Sequence, residues 1–167
     1  MTDAFRCWRL KGKDPELTRR LVAAVARVYG AHPLMRHLVV EHVLRPARAH
    51  PRDDAAKVRA IQEWVRDNIR FENESGEQVL TPGRVLIWRF GDCDDRAGLV
   101  VAMLESIRIP WRLELLSRKV GAQMVPFHIW PLALVDGRWV HLETSDSRAR
   151  CGEHPADLMQ RISGLSL

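Results

Sequence analysis

The run Gly91-Asp92-Cys93-Asp94-Asp95-Arg96-Ala97 stands directly before an apolar stretch, Leu99-Val100-Val101-Ala102-Met103-Leu104. It reads as the start of a helix over residues 92–107, with Val100, Leu104 and Ile107 as a buried stripe, Leu99 and Met103 alongside, and Pro110 beyond its end. Cys93 therefore sits at or just before the first turn. The unpaired amides and positive end of a helix favour a thiolate over a thiol. Glycine and aspartates flank Cys93, so it does not lie on an apolar stripe, and it reads as a reactive rather than a packing cysteine. The same aspartates work against it, because negative charge raises a thiol's pKa. The helix end alone is then too weak an activator, and a protonated imidazole is required nearby. Asp92, Asp94 and Asp95 are expected to cap the helix or pair with Arg96, Arg89 or Arg70.

Downstream, Asp136-Gly137 is a strong two-residue hairpin signal. It joins predicted strands over 126–135 and 138–143, preceded by another over 111–117. Counting outward from the turn sets Val135 opposite Arg138, Leu134 opposite Trp139, Leu132 opposite His141, Trp130 opposite Glu143 and His128 opposite Ser145. One sheet face then carries both His128 and Glu143, diagonal neighbours about 7–8 Å apart at the backbone. A glutamate spans that distance and accepts the imidazole proton. The predicted arrangement is Cys93 as nucleophile, His128 as its base and Glu143 as the acid that orients His128. A slip in register would bring in Asp146 as a reserve orienter, and Pro131, which has no N–H for a ladder, suggests an edge or a bulge. His141 reads as a structural or rim histidine. The oxyanion donors expected are the Cys93 amide with Gln78 or Trp88, although Trp88 also reads as a core aromatic.

Upstream, residues 1–13 read as a polar arm. Asp14-Pro15-Glu16 opens a helix with Leu17, Leu21, Val25 and Val28 as its stripe and Gly30 at its end. A second segment carries Leu34, Leu38, Val39 and Val43, so 14–50 reads as N-terminal helices. A third helix over 53–69 has Val58, Ile61, Val65 and Ile69 on one face. Residues 71–77 read as a polar loop, and Thr81-Pro82-Gly83 as a turn before Val85-Leu86-Ile87-Trp88. The tail, 148–167, holds a short helix near 156–162. Helices followed by an antiparallel sheet give an α+β class, taken as one domain over 1–167 with a core at 53–147.

Composition narrows the function classes. The chain has 167 residues, 46% hydrophobic and 28% charged, enough for one real core. No apolar run approaches a membrane span, and the start lacks the long apolar segment of a leader, so a cytoplasmic setting, or a particle assembled there, is expected. The net charge of +5 is spread rather than clustered, which argues against a nucleic-acid reader. Cys7, Cys93 and Cys151 make an odd set of three, against a disulfide framework. Cys151-Gly152-Glu153-His154 supplies two metal ligands where a closed zinc site needs four. There is no Gly-x-Ser-x-Gly elbow and no phosphate-binding loop.

The stretch 91–97, then Phe127-His128-Ile129-Trp130, then Gly137-Arg138-Trp139-Val140-His141-Leu142-Glu143 resembles the transglutaminase-like cysteine protease superfamily. The resemblance implies a papain-related fold with Cys93 at a helix N-terminus and His128 and Glu143 on adjacent strands. The family's usual third residue is Asp, so Glu143 is a departure. Further upstream, Trp64-Val65-Arg66-Asp67-Asn68-Ile69-Arg70-Phe71 and Glu77-Gln78-Val79-Leu80-Thr81-Pro82 are similar to bacteriophage-encoded members found among virion assembly genes. Taken together, the likeness implies an acyl-transfer enzyme that needs no cofactor, metal or calcium. It would cleave an amide, peptide or isopeptide bond in a protein or peptide, with phage structural proteins as candidate partners. Cross-linking to an amine, or a non-enzymatic assembly role, are the alternatives.

Overall fold

The computed structural model describes residues 7–9, 14–72, 78–120 and 123–163. Strand β1 (Cys7–Arg9) is followed by helices α1 (Pro15–Gly30), α2 (Pro33–Leu38) and α3 (Asp54–Asn68). Short strands β2 (Arg70–Phe71) and β3 (Gln78–Leu80) lead to α4 (Pro82–Trp88), β4 (Phe90–Gly91) and α5 (Cys93–Ser106). The long strands β5 (Trp111–Val120) and β6 (Gln123–Val135), then β7 (Arg138–His141) and α6 (Pro155–Ser163), complete the order. Helices come first and the antiparallel sheet after them, so the α+β class holds. Residues 1–6 and 10–13 of the expected arm and 73–77 of the expected loop lie outside the described residues. Cys7–Arg9 is a strand rather than arm, paired antiparallel with β3.

α1 starts as expected: Asp14 accepts the Glu16 and Leu17 amides at 3.1 Å each, with Pro15 at the first helical position. Its buried face is displaced by one residue from the predicted stripe. Thr18, Val22, Ala26 and Gly30 face inward, whereas Leu17 is 49% and Val28 71% exposed. Close approach of α1 to α5 is the cause, since small side chains let two helices meet. A Cβ on Gly30 would lie 2.4 Å from the Glu105 Cβ and 2.8 Å from the Ala102 carbonyl oxygen. Gly30 is therefore required by packing rather than as a helix terminator. After α2 the backbone widens into a π-helical turn over Val39–Leu44, and the Arg45 amide reaches the Val40 carbonyl at 3.0 Å. Val39 and Val43 are buried as predicted, but Leu34 is 69% exposed.

Asp53 caps α3 through the Ala56 amide at 2.8 Å, and Val58, Ile61, Val65 and Ile69 are buried, matching the predicted stripe. The run 82–88 is a helix, which the turn-like Thr81-Pro82-Gly83 concealed. Thr81 Oγ1 accepts the Arg84 amide at 3.2 Å, and Arg89, left-handed at φ 60°, ends α4. α5 is more deeply placed than a one-stripe helix: Leu99 to Leu104 are each 0% exposed. It is apolar all round over this stretch and packs against α1, α2, α3, α4 and β6 at once.

The main sheet has the order β5-β6-β7. The hairpin register is the one counted from the sequence, with Val135 opposite Arg138, Leu134 opposite Trp139 and Leu132 opposite His141. Asp136 (φ 49°) and Gly137 (φ 76°) form the left-handed pair such a turn needs. Two details differ. β7 ends at His141, so Glu143 and Ser145 are not ladder partners of Trp130 and His128. Pro131 lies inside the central strand opposite Leu113, and its carbonyl accepts the Leu142 amide at 3.0 Å. A bulge leaves Phe127 unmatched, between the pairs Leu116–His128 and Ser117–Pro126. An extra residue there bends the strand and re-aims His128. Parallel pairing of β2 with β4 sets Phe71 beside Gly91 and straps the start of α5 to the end of α3. No helix among the described residues is long and apolar enough to cross a membrane.

Candidate active site

The turn that presents Cys93 is fixed by its aspartates. Asp92 is the cap of α5, accepting the Asp94 amide at 3.2 Å and the Asp95 amide at 3.5 Å, while Asp95 reaches back to the Asp92 amide at 3.4 Å. This reciprocal box uses donors the first helical turn leaves open. The other Asp95 oxygen accepts the Leu80 amide at 2.6 Å, tying α5 to β3. Gly91 makes room for it, since a Cβ there would come 2.7 Å from the Asp95 Cβ. The capping role expected of Asp92 and Asp95 is thus what the structure shows. The arginines considered as their partners are engaged elsewhere: Arg70 with Glu72, Arg89 over the Trp64 ring, and Arg96 with backbone carbonyls. The carboxylates of Asp92, Asp94 and Asp95 come within 4.8 Å of one another, and Asp92 Oδ1, Asp94 Oδ1 and both Asp95 oxygens accept backbone amides.

Cys93 is half-buried, and the amide of Ile129, the residue next to His128, acts on its thiol. Burial pushes the thiol well above its ordinary value, Asp92 adds to this, and the Ile129 hydrogen bond opposes it. His128 Nε2 contacts Glu143 Oε2 directly. The second Glu143 oxygen accepts the Ser145 amide at 2.6 Å, and Gln62 Nε2 donates to the Glu143 carbonyl at 2.6 Å. Glu143 is 3% exposed. Burial alone would raise its carboxyl, but the bonds to His128 and Ser145 outweigh that and hold it below the usual carboxylate value. An ionised acid is thus kept against an imidazole, two residues beyond the end of β7.

The other sequence candidates lie around this pair. Asp146 pairs with Arg148 at 2.7 Å, whereas the carboxylate found against His128 is that of Glu143. Trp88 is 42% exposed, stacked on Phe90 with the Arg84 guanidinium 4.1 Å above its ring, and is not the core aromatic it reads as. Gln78 is half-buried on β3, two residues before the Leu80 amide that binds Asp95. Trp130 is 3% exposed and lies beside the His128 ring at 6.0 Å. Its indole N–H donates to His141 Nδ1 at 3.0 Å, which gives His141 a structural part. His154 packs against His141 at 4.8 Å between ring centres. Cys151 is a free thiol pushed up to about 11 by burial.

Gln62 has no place in the sequence reading, and Arg96 enters it only as a partner for the aspartates. Gln62 interrupts the apolar face of α3 beside Ile61 and Val65, and it is 0% exposed. A polar side chain on a buried stripe must find a partner; that signal is present in the sequence, but not the identity of the partner, Glu143. Arg96 is 2% exposed, one turn after Cys93, and its guanidinium donates to the Val65 and Arg66 carbonyls at 3.3 and 3.1 Å. Burial pulls it down to about 10, against attraction from Glu143 and Asp67, so it stays charged at neutral pH.

Comparison with known proteins agrees with this arrangement of elements. The model of the transglutaminase-like superfamily matches residues 41–144, more than half of the chain. Among solved structures, a candidate cysteine protease from Cytophaga hutchinsonii is similar with a TM-score of 0.54 and 19% identity, over 80% of this chain and 43% of that one. A candidate protease from Parabacteroides distasonis is similar with a TM-score of 0.55 and 16% identity, over 77% of this chain and 26% of that one. The chain thus spans less than half the length of either structure, and at these identities the likeness is one of fold. No curated protein sequence matches it. The helix-borne Cys93, the antiparallel sheet beside it and the family match together make this chain a member of the transglutaminase-like superfamily.

Proposed function

We propose that the protein is a cysteine hydrolase that cleaves an amide, peptide or isopeptide bond through Cys93, His128 and Glu143. The observation that supports this most is the double attachment of β6 to the other two elements. The Ile129 amide acts on the Cys93 thiol, and the neighbouring His128 meets the Glu143 carboxylate. With Nε2 committed to Glu143, Nδ1 is the nitrogen that serves the thiol. It accepts the Cys93 proton as sulfur attacks the substrate carbonyl, and the imidazolium formed is stabilised by Glu143. The proton then passes to the leaving amine, the C–N bond breaks, and a thioester remains on Cys93. Water, deprotonated by Nδ1, releases the acid and restores the thiol. The Cys93 amide at the start of α5 stabilises the oxyanion, and Gln78 on β3 is the second donor in this reading.

The test uses a mixture of glutamine-containing and ordinary peptides, analysed by mass with and without an added primary amine. The expected result is a bond cleaved, or ammonia released, by wild type and not by Cys93→Ala or His128→Ala. Incorporation of the amine in place of hydrolysis would make the enzyme a cross-linker on the same chemistry. Equal product from wild type and Cys93→Ala would overturn the proposal. The setting implied by the upstream resemblance, a phage structural protein as substrate, belongs to the same proposal, and virion proteins added to the mixture extend the test to it.

A further inference from the structure

The C-terminal end of α3, β2, the residue that ends α4, the first turn of α5 and the segment after β7 line an open pocket of about 470 Å³. This is the size of a small-ligand site. Its lining includes Arg66, Arg70, Arg89 and Arg96 against a single carboxylate, Asp67. Arg66 and Arg70 are matched, by Asp67 and Glu72. Arg89 lies 5.3 Å from the centre of the Trp64 ring and makes no ion pair among the described residues. Arg96 is 2% exposed, and its Nε has no hydrogen-bond partner among the described residues. Arg96 Nη2 is held by the Val65 and Arg66 carbonyls, so the group is fixed at the pocket wall with one donor, Nε, to spare. Ser145 lines the cavity and also clamps Glu143, and Arg96 follows Cys93 by one helical turn, so the cavity shares a wall with the proposed triad.

From these positions we propose that the cavity is a specificity pocket for a carboxylate of the substrate, with Arg96 and Arg89 as its recognising groups. This rests on the hydrolase reading, because an unmodified peptide brings anions only as acidic side chains or its own C-terminus. Planar guanidinium groups suit a carboxylate, and the Ser145 hydroxyl lies in the same wall.

The test is equilibrium binding to the Cys93→Ala protein, which turns nothing over. Three probes are used: acetyl-Ala-Glu-Ala-amide, acetyl-Ala-Gln-Ala-amide, and acetyl-Ala-Ala-Ala with a free C-terminus. At least one acid peptide should bind about tenfold more tightly than the neutral glutamine peptide, and added salt should weaken it. Which acid binds decides between side-chain and terminal carboxylate. The advantage should be lost in Arg89→Gln and in Arg96→Gln. Should Arg96→Gln fail to fold, Arg89→Gln, an exposed position, decides alone. Equal binding of the neutral peptide, no binding of either acid, or an advantage untouched in Arg89→Gln would overturn the pocket. Binding does not depend on cysteine chemistry, so acid-selective binding beside an unreactive Cys93 would sink the hydrolase reading only.

Discussion

Cys93 is a thiol whose surroundings favour the protonated form: it is half-buried, and Asp92 and Asp94 lie within the same turn. Any thiolate there must borrow its stability from a cation, and His128 is the group on the adjacent strand that can supply one. Glu143 in turn is held from three directions, by His128, the Ser145 amide and Gln62. Glu143→Gln keeps the volume but removes the charge that steadies an imidazolium. It should lower kcat by on the order of 10²–10⁴-fold with KM little changed, as steady-state kinetics on a cleaved peptide would show. An unchanged kcat would remove Glu143 from the mechanism. Cys93, His128 and Glu143, the proposed nucleophile, base and acid, could be picked out in the sequence because each sits beside a local signal: a capped helix start, and a hairpin whose turn sets the register. Gln62 was less so, since its partner Glu143 lies 81 residues away along the chain.

Among the elements, the start of α5 carries the geometry most sensitive to substitution. Asp95→Ala removes half of the capping box and the tie to the Leu80 amide together. A loss of about 2–3 kcal/mol is expected, seen as a fall in melting temperature of about 5–10 °C. Burial, with help from Asp92, also pushes the Asp95 carboxyl up to about 7 from its ordinary 3.8, against the pull of the Leu80 and Asp92 amides. A carboxyl that binds its proton more tightly when folded favours the fold below the unfolded value and loses that advantage as pH rises through the folded one. Between about pH 4 and pH 7, stability should therefore contain a falling component that Asp95→Asn removes. Denaturant midpoints measured across that window test it, and identical slopes in the two proteins would refute it. The contact between α1 and α5 makes a third case. Gly30→Ala drives a Cβ to 2.4 Å from Glu105 and should cost about 1–3 kcal/mol in chemical denaturation. The sequence hid this interface because the inward residues of α1 are small, and hydrophobicity pointed to the larger Leu17 and Val28 beside them.

At the scale of the molecule, α5 is the axis around which the other layers are laid, and its residues Leu99 to Leu104 are shut off from solvent. Leu104→Ala should leave a cavity there and cost about 2–5 kcal/mol in reversible unfolding; a cost below about 1 kcal/mol would mean that the core closes over it. The α+β order was readable because α3 and β5 to β7 have clear helical and strand patterns. The pairings of β1 with β3 and β2 with β4 were not, since strands of two or three residues show no periodicity and their partners are far apart in sequence. β2 with β4 straps the Cys93 turn to the end of α3, and β3 is tied to the same turn through Leu80 and Asp95, so the part least legible in the sequence is the part that frames the site.

If His128 governs the ionisation of Cys93, as the proposed mechanism requires, the rate of iodoacetamide alkylation of Cys93 against pH will show it, compared in wild type and in His128→Ala. Wild-type Cys93 should react near neutral pH faster than a free cysteine peptide. In His128→Ala the rate should stay low until pH rises above the ordinary cysteine value of about 8.5, because burial and Asp92 are then unopposed by any imidazolium. Superimposable wild-type and His128→Ala profiles would remove His128 from the role of base.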